Sequence, residues 1–214
     1  MAKTKKREFI TVFTPIGTLS FPYLVKPDTG RAESSNKYSA EIYVPKAVWA
    51  KEGKPVVEAI LKVGREYFKN PKLKLTEFKN PITDMDSLGK PLEDYQKGCI
   101  RIRAKAAQEY KPTVIGPQKS SEGKFPVWSE DQVKEIKGGD QVRLICSPYA
   151  YSQQGGGVAF GLNFVQFAKE GKALGQGRMK AIEALGEIEV EVDSPDEMVD
   201  TEDTEDEDPM MSFG

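Results

Sequence analysis

The sequence contains no histidine and only two cysteines, Cys99 and Cys146, in 214 residues. Without histidine there is no Ser-His or Cys-His couple for nucleophilic catalysis. Two thiols fall short of the four Cys/His ligands of a structural zinc site. Both lie in apolar, strand-like runs, so they read as buried free thiols of a reducing compartment. No apolar run approaches the 18 or so residues of a membrane span. The basic start, MAKTKKREF, is followed by no apolar stretch and does not read as a secretory signal. No phosphate-binding glycine loop with its Lys-Ser/Thr is present. The glycine-rich GGDQ and QGGGVAFG flank strands and do not open a helix. No cofactor is expected.

Charge is also missing from one region. Between Glu187 and Gly214 there are 13 acidic residues and no Lys or Arg. The remaining 186 residues hold 31 basic and 20 acidic side chains. The near-neutral total of −2 is therefore a cancellation between a body of +11 and a tail of −13. A basic body implies an anionic partner. Low hydrophobicity and like charge predict a disordered acidic tail over 187–214, leaving 1–186 as the folded domain.

What is present is mostly β. Strands are expected near Phe9–Phe13 and Gly17–Val25, with a turn at Pro27-Asp28-Thr29-Gly30. KYSAEIYVPK sets Tyr38, Ala40, Ile42 and Val44 against Ser39, Glu41 and Tyr43, a half-buried strand. In CIRIRAKAA, Ile100, Ile102, Ala104 and Ala106 face one way and Arg101, Arg103 and Lys105 the other. GDQVRLICSPYAY and VAFGLNFVQFAK form a hairpin about a glycine-rich tip, with Phe160, Leu162 and Phe164 as core. PVVEAILKVGREYF is the one strong helix, opened by Pro55 and stopped at Asn70-Pro71. Residues 72–98 read as loop. ALGQGRMKAIEAL reads as a short terminal helix. The fold class is mainly β: an OB-type, five-stranded Greek-key barrel with one main helix and inserted loops, the β-sandwich being the alternative.

Arg101, Arg103 and Lys105 project from one strand face about 7 Å apart, a spacing that can track a phosphate backbone. Tyr149 and Tyr151 share a face and form a stacking platform for unpaired bases. Tyr23 is a further candidate, Phe21 and Tyr43 read as core, and Trp128 fits either role. A basic face with aromatics and no recognition helix fits single-strand binding without sequence preference. Two rivals stand beside it. One is an acidic-tailed interaction module or chaperone of basic proteins, which the positive body disfavours. The other is a nuclease holding Mg²⁺ between Asp84 and Asp86.

GTLSFPYLVKPDTG, YSAEIYVP, SPYAY before a glycine-rich turn, and an acidic tail with Phe213 near its end occur in this order. On these motifs the chain resembles the single-stranded-DNA-binding proteins of T-seven-like phages. The resemblance implies an OB-fold, non-enzymatic coating of single strands in replication and recombination, and the cytoplasm of an infected bacterial host. It implies a tail that competes with DNA and recruits replication proteins such as polymerase or helicase through Asp206, Glu207, Asp208 and Phe213. Lys26 corresponds to the lysine of the Lys-Pro-Asp turn, and Tyr149 and Tyr151 to the hairpin aromatics. In the family the tail aromatic is the last residue, whereas here Gly214 follows it. A homodimer is a further expectation.

Overall fold

Period-two alternation of β-branched residues favours a sheet whose apolar face must be covered, and five such strands can cover it by closing on themselves. The computed structural model, which describes residues 10–29 and 36–174, takes this route. Eight strands form one sheet: β1 (Val12–Phe13), β2 (Gly17–Asp28), β3 (Lys37–Pro45), β4 (Ile82–Asp84), β5 (Cys99–Ala107), β6 (Thr113–Ile115), β7 (Gln141–Tyr151) and β8 (Gly157–Lys169). β2 pairs antiparallel with β3, and β3 with β5. β5 meets β8 in parallel, β8 runs antiparallel to β7, and β7 returns to β2. Numbered along the chain, the ring strands neighbour one another first, second, third, fifth, fourth, first. This is the OB barrel, and it displaces the sandwich alternative.

The inward alternation is as the sequence implies. Leu19, Ala40, Ile42, Val44, Ile102, Ala104, Val142, Leu144, Val158, Phe160, Leu162 and Val165 fill the interior. Cys146 is buried among them as a free thiol, and burial pushes its titration far up. Phe164, expected in the core, is 40% exposed. Cys146 pairs with Leu162 but Ile145 with Phe164, so Asn163 is an extra residue, a β-bulge. Beyond it the faces exchange, and Val165 points inward instead.

Between β3 and β5 lies a long insertion. It holds α1 (Lys46–Glu52), α2 (Lys54–Tyr67) and β4. α2 carries a proline in its first turn and buries Val56 and Ile60 against the barrel and Gly64, four residues further along the same side, against Phe78 and Leu73. Residues 72–98, read as loop, contribute β4 as an added strand on β5. They also cover Tyr43, which with Met85 and Cys99 forms a second small core outside the barrel. α3 (Glu130–Lys134) precedes β7 and starts in a reciprocal Ser129–Gln132 capping box.

At the far end, Asp140 is buried, and its carboxylate accepts from the amides of Lys137 (3.0 Å) and Gly171 (3.0 Å). Leu174 N–H donates to Gly138 C=O at 2.9 Å. The segment leading out of β8 is thus fastened beside β2. The chain divides into a unit of residues 1–174 and one of 175–214, and the second lies outside the described residues. The expected terminal helix, the acidic tail and the boundary at residue 186 fall there.

Phe160 is the largest fully buried side chain among the described residues. Phe160→Ala is expected to lower unfolding free energy by about 3–5 kcal/mol in denaturant titration. Tyr110→Ala, at an exposed site, should stay within about 0.5 kcal/mol of wild type.

Candidate nucleic-acid interface

Register places the outward residues of four strands in one lane. On β5, Lys105 stands opposite Ser39 of β3, Arg103 opposite Glu41, and Arg101 opposite Tyr43. Ser39 in turn faces Tyr23 of β2. On the other side Lys105 meets Gly161 of β8, which faces Ser147 of β7. Gly161 offers no side chain, and Tyr149 leans across the opening: a Cβ there would lie 3.9 Å from the Tyr149 ring. The lane therefore runs Tyr23, Ser39, Lys105, Gly161, with half-exposed aromatics at both ends (Tyr149 48% exposed). Three interstrand steps span roughly 14 Å. Serine and glycine in between leave a trough with one ammonium in it.

The arginines are held differently. The Glu41 carboxylate, 17% exposed, accepts from Arg103 Nε at 2.9 Å and from the Tyr43 hydroxyl at 2.6 Å. Arg101 Nε lies 3.9 Å from the same carboxylate, and Arg101 Nη2 donates to Thr83 Oγ1 of β4 at 3.1 Å. Gln96 Nε2 reaches the Tyr43 hydroxyl at 3.2 Å. Burial, and then the bond to Glu41, push the Tyr43 phenol far above its usual range. Arg101 is thus largely committed within the fold, whereas Arg103 uses one edge on Glu41 and is half-exposed. Lys105 is free of such a partner among the described residues. Burial lowers its pKa from the usual lysine value, and the neighbouring Arg103 and Lys37 lower it further.

Other expected residues fall elsewhere. Tyr151 lies next to Tyr149 along β7, its hydroxyl 2.8 Å from where a Gly157 Cβ would stand. Lys26 lines a separate depression with Tyr23, Val133 and Lys134. It sits where β2 has three residues more than β3 between the Tyr23–Ser39 and Asp28–Lys37 pairs. Phe21, read as core, is 65% exposed in a β2 irregularity with φ of 36°. Such a backbone is strained for an aromatic residue. Tyr43 is buried, though outside the barrel. Trp128 packs on Phe167 at 4.8 Å. The carboxylates of Asp84 and Asp86 both grip Lys46 Nζ, at 2.7 and 2.8 Å. A lysine ammonium therefore stands where the nuclease reading would put a metal, and the described residues contain no cluster of three or more metal-binding side chains. Asp206, Glu207, Asp208 and Phe213 lie outside the described residues. Sequence reasoning missed Glu41 as the arginines' anchor. It also missed the β8 glycines, although their spacing in GGGVAFG is a visible signal.

Comparison with known proteins gives three results. The family described as Enterobacter phage Enc34, ssDNA-binding protein, matches residues 11–199. Among solved structures, the single-stranded DNA-binding protein from bacteriophage Enc34 in complex with ssDNA superposes with a TM-score of 0.62 at 22% identity, covering 77% of this chain and 89% of that one. Bacteriophage T7 gp2.5, a single-stranded DNA binding protein, gives 0.52 at 19% identity, covering 77% and 94%. Comparison with curated protein sequences gives no significant match.

The electrostatics of the lane can be measured without ligand. In a ¹³C NMR titration of labelled lysines, Lys105 should lose its proton at lower pH than lysines far from other cations, such as Lys46. Arg103→Gln should move its midpoint up only in part, because burial is the larger cause.

Proposed function

Because the chain belongs to the family described as the Enterobacter phage Enc34 ssDNA-binding protein, we propose that it coats single-stranded DNA, with the strand lying across β3 and β5. The family is one of binding proteins, not enzymes. The observation that carries the placement is the lane itself: Lys105 in a trough between Tyr23 and Tyr149 on the outer face of an OB barrel. Lys105 and the free edge of Arg103 take phosphates. Arg101, mostly committed to Thr83 and Glu41, adds charge. Tyr149 and Tyr151 stack on bases at one rim, with Tyr23 and Phe21 at the other and Lys26 beyond them. Stacking serves every base, so sequence preference is weak.

Residues 1–186 then form the binding domain and 187–214 an acidic tail that competes for the same face. A 28-residue tail spans roughly 30 Å root-mean-square, enough to cross a small domain. Tethering places it at an effective concentration in the millimolar range. Its acids stand in for phosphates. Asp206, Glu207, Asp208 and Phe213 recruit replication proteins, polymerase or helicase, in the cytoplasm of an infected bacterial host. A homodimer would place two such faces in one particle.

Gel shifts of full-length and 187–214-deleted protein, at two salt concentrations, test both parts. Single strands should be retained over duplex. Log affinity should fall with log salt by about 0.7 per neutralised phosphate, and a slope near zero would overturn the reading. Tyr149→Ala should cost about 1–3 kcal/mol. Deleting the tail should tighten binding, and equal or weaker affinity would refute competition.

A further inference from the structure

Each outward tyrosine near the β7–β8 tip rests on a glycine. Tyr149 lies over Gly161, the Tyr151 hydroxyl over Gly157, and the Tyr67 ring beside Gly156, 3.7 Å from where a Cβ would stand. The third ring comes not from the barrel but from the last turn of α2, in the insertion. It remains 42% exposed and is fixed edge-on to Phe68 at 4.9 Å, which packs in turn on Phe78 at 5.8 Å. The insertion is bonded to the tip itself. Lys79 Nζ donates to Gln154 C=O at 2.6 Å, and Val158 N–H to Lys79 C=O at 2.9 Å. From Lys62 to Lys79 it carries six basic residues and two acidic ones. Lys69 and Lys72, just after Tyr67, are exposed and enter no ion pair among the described residues.

We infer that the bound strand does not end at the β7–β8 tip but continues onto the insertion. Tyr67 takes a further base there, and Lys69 and Lys72 take the adjoining phosphates. This deepens the single-strand reading and rests on it. The ring is held by Phe68 and Gly156, so little freedom is lost when a base stacks on it. The lysines supply charge where the lane of Lys105 and Arg103 has ended. The alternative is that Tyr67 and its neighbours only buttress the tip.

Oligothymidylates of about 6 and about 15 nucleotides, low and high in the range one OB barrel covers, separate these readings by fluorescence anisotropy. Tyr67→Ala and the Lys69→Glu/Lys72→Glu pair should each weaken the longer oligomer about tenfold, within the contribution of one base stack. The shorter oligomer, held by the barrel face, should be unaffected. Tyr67→Phe should keep full affinity, and unchanged thermal unfolding would show that the variants are folded. Equal loss for both lengths marks a buttress and overturns the extension, as does no loss for the longer oligomer. A wild-type protein that binds neither length overturns the single-strand reading beneath it. Weakening by Tyr149→Ala on both lengths, with no effect of Tyr67→Ala, overturns the extension alone.

Discussion

The barrel depends on β8. A five-stranded ring of this order closes only if its last strand pairs antiparallel with β7 and also reaches β5 in parallel. β8 does both, and then leaves β5 for β6 with the bulge at Asn163 in between. Closure buries Phe160, Leu162 and Val165 and removes the exposed edges that an open sheet would present. The same strand governs the surface. Where it passes β5 its outward residue is Gly161, and the opening there is what lets a tyrosine from β7 approach a lysine from β5.

Charge on this face is graded, not uniform. Three cations follow one another along β5, but a single carboxylate on β3 takes an edge of one arginine and sits near the other. With Arg103 half in solvent and Arg101 at 3.9 Å, these pairs contribute modest stability. Their effect is on direction: Arg103 is held with donors left over, while Lys105 is unanchored. The Glu41 carboxylate is also the point where the insertion is coupled to the lane, since Gln96 reaches it through the Tyr43 hydroxyl.

Much of this was legible in the sequence. Period-two runs marked β3, β5, β7 and β8 and their inward faces, and Pro55 with its apolar spacing marked α2. What failed did so for local reasons. Phe164 continued a clean alternation, but a bulge is one unpaired residue and leaves no compositional trace in FGLNFVQF. Phe21 looked like core because aromatics in strands usually are, and its positive φ depends on the β2 irregularity. β4 was hidden because three residues between prolines and glycines carry no period of their own. α3 went unread as well, although its Ser129–Gln132 capping box follows a Ser-x-x-Gln spacing that the sequence displays. Within the site, the direction of Arg101, Arg103 and Lys105 was readable. Their unequal availability was not, because it depends on Glu41, sixty residues away in the chain.

The bulge at Asn163 works as a frame marker for the molecule's exterior. Strand β8 is read in twos, and one added residue shifts that frame once, handing Phe164 to the outside and Val165 to the interior. Variation in chain length is therefore not equivalent along the sequence. Residues gained or lost in the connections at 117–125 or 29–36 leave every strand in phase. Loss of the unpaired residue 163 would only straighten the ladder, but a single deletion at a paired position such as 160 would put one half of β8 out of phase with β7, exchanging an apolar interior for a polar surface. Among descendants of such a sequence, drift in length should accumulate in the connections and be purged from this one strand.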